Sequence, residues 1–365
     1  MSGKALIAMS GGVDSSLAAR LMQEQGYECI GCNMRLYMDC SGFDNEEELP
    51  VSERPRKTCC SAKDAEDAKQ VAELLGMPFF VLDLSYDFQK QVIDKFVSSY
   101  EKGLTPNPCI DCNRYMKFGR LLERAELEGC EKVVTGHYAR LEENDGEYYL
   151  KKAVDESKDQ SYVLYCLPKE ILGHLAFPLG ELTKAEVRRR AEGHGFVNAH
   201  KRESQDICFV PDGNYAEVIK KRTGKDYEPG NFVDRNGNIL GRHKGIIHYT
   251  IGQRKGLGIA FGEPRYVAKL DMEKNEVVLA TDADLFSKTV RVADANWLVA
   301  RKQGPFRCQA KIRYRQKEQP ATVTPEDNDS FTIEFDEPQR AITPGQAAVL
   351  YDGDIVLGGG VIQGS

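Results

Sequence analysis

The feature that most constrains this chain is a regular alternation of strand-like and helix-like segments through its first third. Residues 4–9 (KALIAM) form a short continuous apolar run of strand length. Residues 15–25 carry apolar side chains at helical spacing and stop before Gly26, and residues 28–34 return to a strand pattern. The alternation continues with a helix over 61–75 ended by Gly76, a strand over 79–84 and a helix over 88–100. A further helix over 117–127 and a short strand over 132–135 before Gly136 complete it. Strands separated by helices of this length need crossover connections, which join parallel neighbours, and a parallel sheet must be covered on both faces. The expected fold class is α/β, a mainly parallel sheet with helices on both faces.

Past residue 205 the pattern changes. Residues 214–222 predict one short helix, whereas 224–262 is rich in glycine and basic residues and predicts turns with short antiparallel strands. From Pro264 the chain is all-β. In 330–336 (SFTIEFD), Phe331, Ile333 and Phe335 alternate with polar neighbours, after a turn at Asp327, Asn328 and Asp329. Val290, Val292, Val349 and Leu350 are expected in companion strands of a small sandwich or barrel. The expected domains are 1–205, 206–270 and 271–365.

Composition narrows the function classes. At 365 residues and 41% hydrophobic content the chain can bury a large core. No apolar run approaches the roughly 20 residues that cross a bilayer, and the start runs into a strand without a signal peptide's cleavage region, so a soluble, cytoplasmic protein without membrane partners is expected. Eleven scattered cysteines fit a reduced compartment and thiol or metal chemistry better than a disulfide framework. The net charge of -7 argues against a general polyanion binder. Two stretches run against that balance. Residues 241–262 contain Arg242, Lys244, Arg254 and Lys255 without an acid, and 298–317 contain Arg301, Lys302, Arg307, Lys311, Arg313, Arg315 and Lys317, again without an acid. Each is either a solvated basic face or part of a polyanion track.

The most informative short segment, Ser10-Gly11-Gly12-Val13-Asp14-Ser15-Ser16, lies between the first strand and first helix. Two glycines allow close backbone approach to an anion, backbone amides at the helix start supply donors, and Ser10, Ser15 and Ser16 are candidate hydroxyl donors. The alternative is a tight turn with Ser15 as helix cap. It is neither GxxxxGK[ST], since no lysine stands where terminal phosphates would be gripped, nor GxGxxG. SGGVDS resembles the pyrophosphatase loop of enzymes that cleave ATP between the α and β phosphates, which implies an adenylated intermediate.

Thr105-Pro106-Asn107-Pro108-Cys109-Ile110-Asp111-Cys112-Asn113 presents a CxxC from a proline-stiffened loop. The spacing permits a redox pair, half a zinc site, iron–sulfur ligands, or one nucleophilic thiolate with a bystander. Adjacent Cys59 and Cys60 need not converge. Cys208, in 201–212 (KRESQDICFVPD), is either a buried cysteine at a domain edge or a reactive thiol.

These segments, taken in order, resemble the bacterial tRNA-specific 2-thiouridylases, enzymes that thiolate the wobble uridine of tRNA. The matching motifs are SGGVDSS, TPNP followed by Cys112-Asn113 and Lys117-Phe118, Gly136-His137-Tyr138-Ala139 and Lys158-Asp159-Gln160-Ser161. They continue with SQDICFVPDG, HxGIxxYTIGQRKGLG over 243–258, RYRQ over 313–316 and TPGQ over 343–346, covering essentially the full chain. The resemblance implies an adenine nucleotide alpha hydrolase-like first domain, a small central domain and a C-terminal antiparallel β-barrel-like domain, the last two contacting tRNA. It implies Cys112 as nucleophile and Cys208 as persulfide carrier. It also implies nucleotide contacts at Ala8, Met9, Ser10, Gly11, Gly12, Val13, Asp14, Ser15, Met34 and Gly136. Asn107, Pro108 and Cys109 correspond to target-base contacts, and His137, Lys158, Asp159, Gln160, Arg313, Tyr314 and Gln346 to tRNA contacts. The plain readings remain beside these: Met34 as core at a strand end, Arg313 and Arg315 as solvent-facing.

The implied reaction adenylates C2 of the wobble uridine and replaces its oxygen with sulfur, using ATP and Mg²⁺, tRNA, and a cysteine desulfurase or sulfur-relay protein as persulfide donor. The chain departs from the family at Cys109, where aspartate is common. That change makes Cys109, Cys112 and Cys208 a candidate three-thiolate set for a [4Fe–4S] cluster and an iron–sulfur-dependent variant of the reaction. Two rival functions are another ligase or amidotransferase of the same loop class, and a tRNA-binding or sulfur-carrying protein without ATP chemistry.

Overall fold

The computed structural model describes residues 3–37, 62–201, 207–210, 212–259, 262–326 and 329–364. Cys59, Cys60, Ser61, residues 204–206 of the SQDICFVPDG motif, Pro211, and Asp327 with Asn328 of the expected turn lie outside them. The chain divides into two compact units, one of 1–93, 108–213 and 354–356, the other of 94–107, 214–353 and 357–365. Among the described residues no helix is long and apolar enough to cross a membrane.

The first unit holds a five-stranded sheet of β1 (Lys4–Ala8), β2 (Glu28–Arg35), β3 (Phe79–Asp83), β4 (Lys132–Val134) and the short strand Leu175–Ala176. The spatial order is β3-β2-β1-β4-Leu175–Ala176, every pair parallel. Central β1 aligns Ala5 with Cys29 and Ile7 with Val134. Alternate strand residues face opposite sides. Ala5 and Ile7 join the core of α1 (Val13–Glu24) and α2 (Ala62–Leu74), while Leu6, pointing the other way, is equally buried. The sheet is therefore covered on both faces, as its apolar β1 requires. Gly26 and Gly76, both at positive φ, follow the ends of α1 and α2, where a left-handed residue stops a helix.

Two expected helices have more structure than their periodicity conveys. The 88–100 helix is α over Ser85–Phe88, π over Gln89–Ile93 and α again over Asp94–Glu101. The 117–127 helix begins earlier, as a π-helical stretch Cys112–Arg120, before α-helix Leu121–Leu127. A wider i→i+5 turn keeps the apolar side chains on one side, so hydrophobic spacing alone does not separate it from an α-helix.

In the second unit, helix Tyr215–Thr223 is capped by Asn214, whose Oδ1 accepts from the Glu217 amide at 3.4 Å, and is ended by left-handed Gly224. It packs on Asp94–Glu101 through stacked Tyr100 and Tyr215, ring centres 4.8 Å apart. A four-stranded sheet follows, in the order Tyr266–Asp271, Glu276–Ala280, Gly230–Val233, Ile239–His243. Its central pair is parallel, unlike the all-antiparallel arrangement expected for the glycine-rich stretch, because Gly230–Val233 pairs with a strand more than 40 residues downstream and not only with its hairpin neighbour.

The remainder is a closed six-stranded antiparallel barrel. Its strands run in the order Phe286–Trp297, Phe331–Arg340, Gln319–Pro325, Phe306–Lys311, Ala347–Asp352, Ile355–Ile362, and the last returns to the first where Val292 pairs with Ile362 and Trp297 with Gly358. Phe331, Ile333 and Phe335 point inward and are buried, as their alternation dictates. Closure resolves the choice between sandwich and barrel, because the first and last barrel strands pair with each other.

Candidate nucleotide loop and thiol site

The loop sits where β1 ends. The Met9 amide still bonds the Cys32 carbonyl at 2.8 Å and Asn33 Nδ2 donates to the Met9 carbonyl at 2.7 Å, which holds the chain extended up to the turn. Gly11 turns at φ +71°, and a Cβ there would lie 2.1 Å from the Asp64 carbonyl oxygen, so only glycine fits. Gly12 is the N-cap of α1, and its carbonyl accepts Ser15 Oγ at 3.0 Å and Ser16 Oγ at 3.1 Å. Ser15 Oγ also receives the Ser10 amide at 3.1 Å. The Ser15 and Ser16 hydroxyls, expected to face an anion, are thus buried braces of the turn. Ser10 is the exposed serine of the three.

Ala8, Met34 and Gly136 lie at or just beyond the carboxyl ends of β1, β2 and β4, the edge of a parallel sheet at which ligands bind in open α/β folds. Gly136 also has a steric role. A Cβ on it would stand 2.8 Å from the Asp14 carbonyl carbon and Ser15 nitrogen, so the backbone after β4 abuts the start of α1.

Three residues that sequence reasoning missed complete the loop. Lys184 Nζ lies 2.7 and 2.8 Å from the two Asp14 carboxylate oxygens, and Tyr138 donates its hydroxyl to the same carboxylate at 2.7 Å. Asn198 Nδ2 donates to the Gly11 carbonyl and Ser16 Oγ. Lys201 Nζ donates to the Gly11 carbonyl at 3.0 Å and pairs with Asp64 and Asp67 at 2.5 Å each. The local sequence offered one signal, Thr183-Lys184-Ala185-Glu186, a capping-box pattern that does start a helix at Lys184.

Residues 158–160 brace this neighbourhood. Asp159 accepts the Ala153 and Ser161 amides at 3.1 and 3.2 Å and the Ser161 hydroxyl at 2.8 Å. Gln160 exchanges bonds with Tyr138 in both directions, at 2.9 and 2.8 Å. Lys158 is half-buried beside them. His137 is buried, its Nε2 3.3 Å from Lys117 Nζ and its Nδ1 2.7 Å from Thr135 Oγ1. Burial first, and the Lys117 ammonium second, hold this imidazole neutral well below the ordinary histidine pKa of 6.5. Lys117 then donates to Nε2, which leaves the ring proton on Nδ1 facing Thr135.

The CxxC loop folds as a short helical turn, Pro108–Asp111, leading into the π-helical stretch. Pro108, Ile110 and Asp111 are buried, Cys109 is exposed, and Cys112 is half-buried at the start of the stretch. Two bonds to the segment at 161–166 fix the turn: Asn113 Nδ2 to the Val163 carbonyl at 3.0 Å, and Cys166 Sγ to the Ile110 carbonyl at 3.4 Å. Burial pushes the Cys166 thiol up to about 12, which makes it inert as a nucleophile. Half-buried Cys208 is followed by buried Phe209 and Val210, and Phe209 meets Phe88 edge-on at 5.9 Å. Cys109, Cys112 and Cys208 carry no disulfide. Among the described residues no group of three His, Cys, Asp or Glu side chains is placed to hold a metal ion, so the candidate three-thiolate set is not brought together. The physical reason lies in the helical turn, which turns Cys109 outward while Cys112 is half-buried.

In the second unit, Asn107 is half-buried at the end of 94–107. The TPGQ segment grips the chain just before it: Gln346 Nε2 donates to the Thr105 carbonyl at 2.7 Å, and the Thr105 amide to the Pro344 carbonyl at 2.9 Å. Arg313 reaches the Ala341 carbonyl and Thr343 Oγ1, and Tyr314 is exposed beneath Lys311, 5.9 Å from its ring centre. A cleft of about 570 Å³ is lined by Lys244, His248, Thr250 and Gln253 together with Arg313. The two acid-free stretches thus meet in one cleft that, among the described residues, carries no acidic lining residue.

Comparison with known proteins matches three consecutive family models. These are a tRNA methyl transferase HUP domain over 3–212, a tRNA methyl transferase PRC-barrel domain over 216–281 and an aminomethyltransferase beta-barrel domain over 287–362. The chain is similar to the tRNA-specific 2-thiouridylase MnmA of Acetivibrio thermocellus, 47% identical over 363 residues, 99% of each chain. It is also similar to the protein of that name from Clostridioides difficile, 48% identical over 368 residues, 100% of this chain and 99% of that one. Superposition on a 4-thiouridine synthetase–RNA complex with bound ATP gives a TM-score of 0.34 at 14% identity, over 61% of this chain and 50% of that one, too slight a likeness to bear on function.

Proposed function

The chain belongs to the tRNA-specific 2-thiouridylase family, and from that premise we propose that it is an ATP-dependent tRNA sulfurtransferase making 2-thiouridine at the wobble position. The observation that carries the reading is the SGGVDSS loop, built at the carboxyl edge of a parallel sheet, in a chain nearly half identical to named 2-thiouridylases along its whole length. The family-model description speaks of methyl transfer. We follow the full-length relatives, because methyl transfer needs neither an adenylating loop nor two thiols. The test of that choice is whether tRNA gains a methyl group from S-adenosylmethionine in the protein's presence.

In the proposed reaction, uridine O2 attacks the α phosphorus of ATP, pyrophosphate departs, and C2 carries AMP as a leaving group. Loop amides at the start of α1 hold the departing pyrophosphate, and Gly11 and Gly12 let it approach. Sulfur arrives as a persulfide on Cys208, donated by a desulfurase or relay protein. Its terminal sulfur attacks C2 and expels AMP, and Cys112 then attacks the Cys208 sulfur. The thiocarbonyl is released, leaving a Cys112–Cys208 disulfide that a thiol reductant reopens. The target base must leave its stack to be reached, at a cost of a few kcal/mol that is smallest in a loop. The basic cleft at Lys244 and Arg313 supplies tRNA affinity to offset it.

Magnesium supplies charge neutralisation on the phosphates when bound. Asp14 is paired with Lys184, and Asp64 and Asp67 with Lys201, so the donor set suits an ion arriving on the nucleotide better than one caged by protein. The donor set does not fit a [4Fe–4S] cluster, and no step is routed through one. Such chemistry belongs in the cytoplasm, where tRNA and reduced thiols are found. Purified protein incubated with tRNA, magnesium ATP and a persulfide donor should yield 2-thiouridine on digestion and mass analysis. Product lacking that base would refute the proposal.

A further inference from the structure

Asp14 is an anomaly in a loop that must receive a polyanion. It is the second residue of α1, in the first turn, where the helix dipole stabilises negative charge. A carboxylate there competes for the same positive end that would hold pyrophosphate. Left uncompensated, it would repel the phosphates across a few ångströms, in a site whose walls at Ser15, Ser16 and Tyr138 are buried.

The compensation comes from far along the chain. Lys184 is 8% exposed, unusual for lysine, and its ammonium contacts both Asp14 oxygens. Three features fix it there. It is the first residue of helix Lys184–Gly193, whose N-terminus is locked by a complete capping box between Thr183 and Glu186. Its own amide donates to Asp155 Oδ2 at 3.0 Å. Its ammonium lies 5.5 Å from the ring centre of Tyr138, which donates its hydroxyl to Asp14 Oδ1. A rigidly placed cation on a rigidly placed carboxylate leaves the helix start near neutral.

We infer that Lys184 is the counter-cation of the phosphate loop, a positioning residue that neutralises and orients Asp14 so that the start of α1 can accept the β and γ phosphates of ATP. The loop contains no lysine of its own, and the one that pairs with its carboxylate comes from a helix 170 positions away. The inference rests on the reading that this loop binds ATP.

The test compares binding of a non-hydrolysable ATP analogue with binding of AMP, by calorimetry, for wild type, Lys184→Arg, Lys184→Met and Asp14→Asn/Lys184→Met, with thermal melts alongside. Lys184→Met should weaken the ATP analogue on the order of ten- to hundredfold and AMP by less than about threefold, because the unmasked carboxylate acts on the outer phosphates. Lys184→Arg should stay close to wild type. The double variant, with neither charge, should regain most of the lost affinity. A brace that merely holds the loop's shape would weaken AMP and ATP alike. Equal losses for the two nucleotides, an unaffected Lys184→Met, or a double variant as weak as the single one overturns the inference. Should Lys184→Met fail to fold, the double variant decides: affinity within about threefold of wild type supports the inference, and a loss of about tenfold or more overturns it. If wild type itself does not bind the ATP analogue, it is the underlying nucleotide reading that falls, and the inference with it.

Discussion

Asn198 donates its side-chain amide to the carbonyl of Gly11 at 3.1 Å, across 187 positions of sequence, and to Ser16 Oγ at 2.9 Å. The residue is buried, so these bonds stabilise the loop without competition from water. Asn198→Ala should cost about 1–3 kcal/mol of stability, the usual price of stranding buried polar partners. It should weaken ATP binding while tRNA affinity stays unchanged. Thermal melts and nucleotide titration check this, and a melting temperature equal to wild type would show that the brace is dispensable.

Adenylation and sulfur transfer should separate. Cys208 lies outside the loop and its braces, so Cys208→Ser should still release pyrophosphate from ATP when tRNA is present and yet form no thiolated base. Cys112→Ser should also release pyrophosphate without free thiolated base, and should instead trap tRNA on Cys208 through a C2–S–S–Cys208 link when a persulfide donor is supplied. Pyrophosphate assays and mass analysis of digested tRNA read the two steps. Thiolation by Cys208→Ser at the wild-type rate would exclude the assigned role.

The acid-free stretch 298–317 predicts a graded response to charge reversal. Arg315 is exposed, so Arg315→Glu should weaken tRNA binding with little change in melting temperature or ATP affinity, and should reduce the salt dependence of binding by about one phosphate contact. Arg313 is tied to Ala341 and Thr343, so Arg313→Glu should lose stability as well. Titrations at several salt concentrations would refute the assignment if Arg315→Glu left tRNA affinity unchanged at low salt.

His137 predicts a pH signature. Its pKa is depressed in the folded state relative to 6.5, so unfolding takes up a proton wherever the pH lies between the two values. The neutral imidazole's contribution is complete above pH 6.5 and is lost as the pH falls below it, by up to about 1.4 kcal/mol per pH unit. His243 and His248 are depressed in the same direction by burial and add to the slope. His137→Asn should therefore flatten, without abolishing, the fall of melting temperature between pH 7 and pH 5. Parallel curves for the two proteins would contradict the assignment.

Iron should be dispensable. Chelator-treated, iron-free protein given a persulfide donor should thiolate tRNA at the untreated rate, and Cys109→Ala should keep both iron content and activity unchanged, since the described residues do not gather Cys109 with Cys112 and Cys208 around one metal position. Loss of activity on iron removal, restored by anaerobic reconstitution, would reinstate a cluster.

Much of the architecture was legible because each rule acts over a short stretch. The apolar run of β1 and the glycines after α1 and α2 speak through neighbours, and the strand at Phe331 through its alternation. The π-helical start at Cys112 was not legible, since a wider turn leaves the hydrophobic spacing nearly intact. In the loop, glycines 11 and 12 announced the turn, but the inward use of the Ser15 and Ser16 hydroxyls depends on a carbonyl whose direction only the folded backbone fixes. Lys184, Asn198 and Lys201 were invisible for a different reason. Their partners are more than 130 positions away, and no local pattern specifies a distant ion pair. Thr183 and Glu186 announced a helix start, though not what its first lysine would touch.

The bond from Lys201 to Gly11 also sets a schedule for biosynthesis. The turn is synthesised well before its partners, since Lys184, Asn198 and Lys201 lie 170, 187 and 190 positions beyond the loop residues they bond. At translation rates of about 5–20 residues per second, the nascent turn waits roughly ten seconds or more before it can close. Until then it has its glycines and serines but neither its cations nor its distant braces, so a nascent or truncated chain ending before residue 184 should be unable to sequester cellular nucleotide.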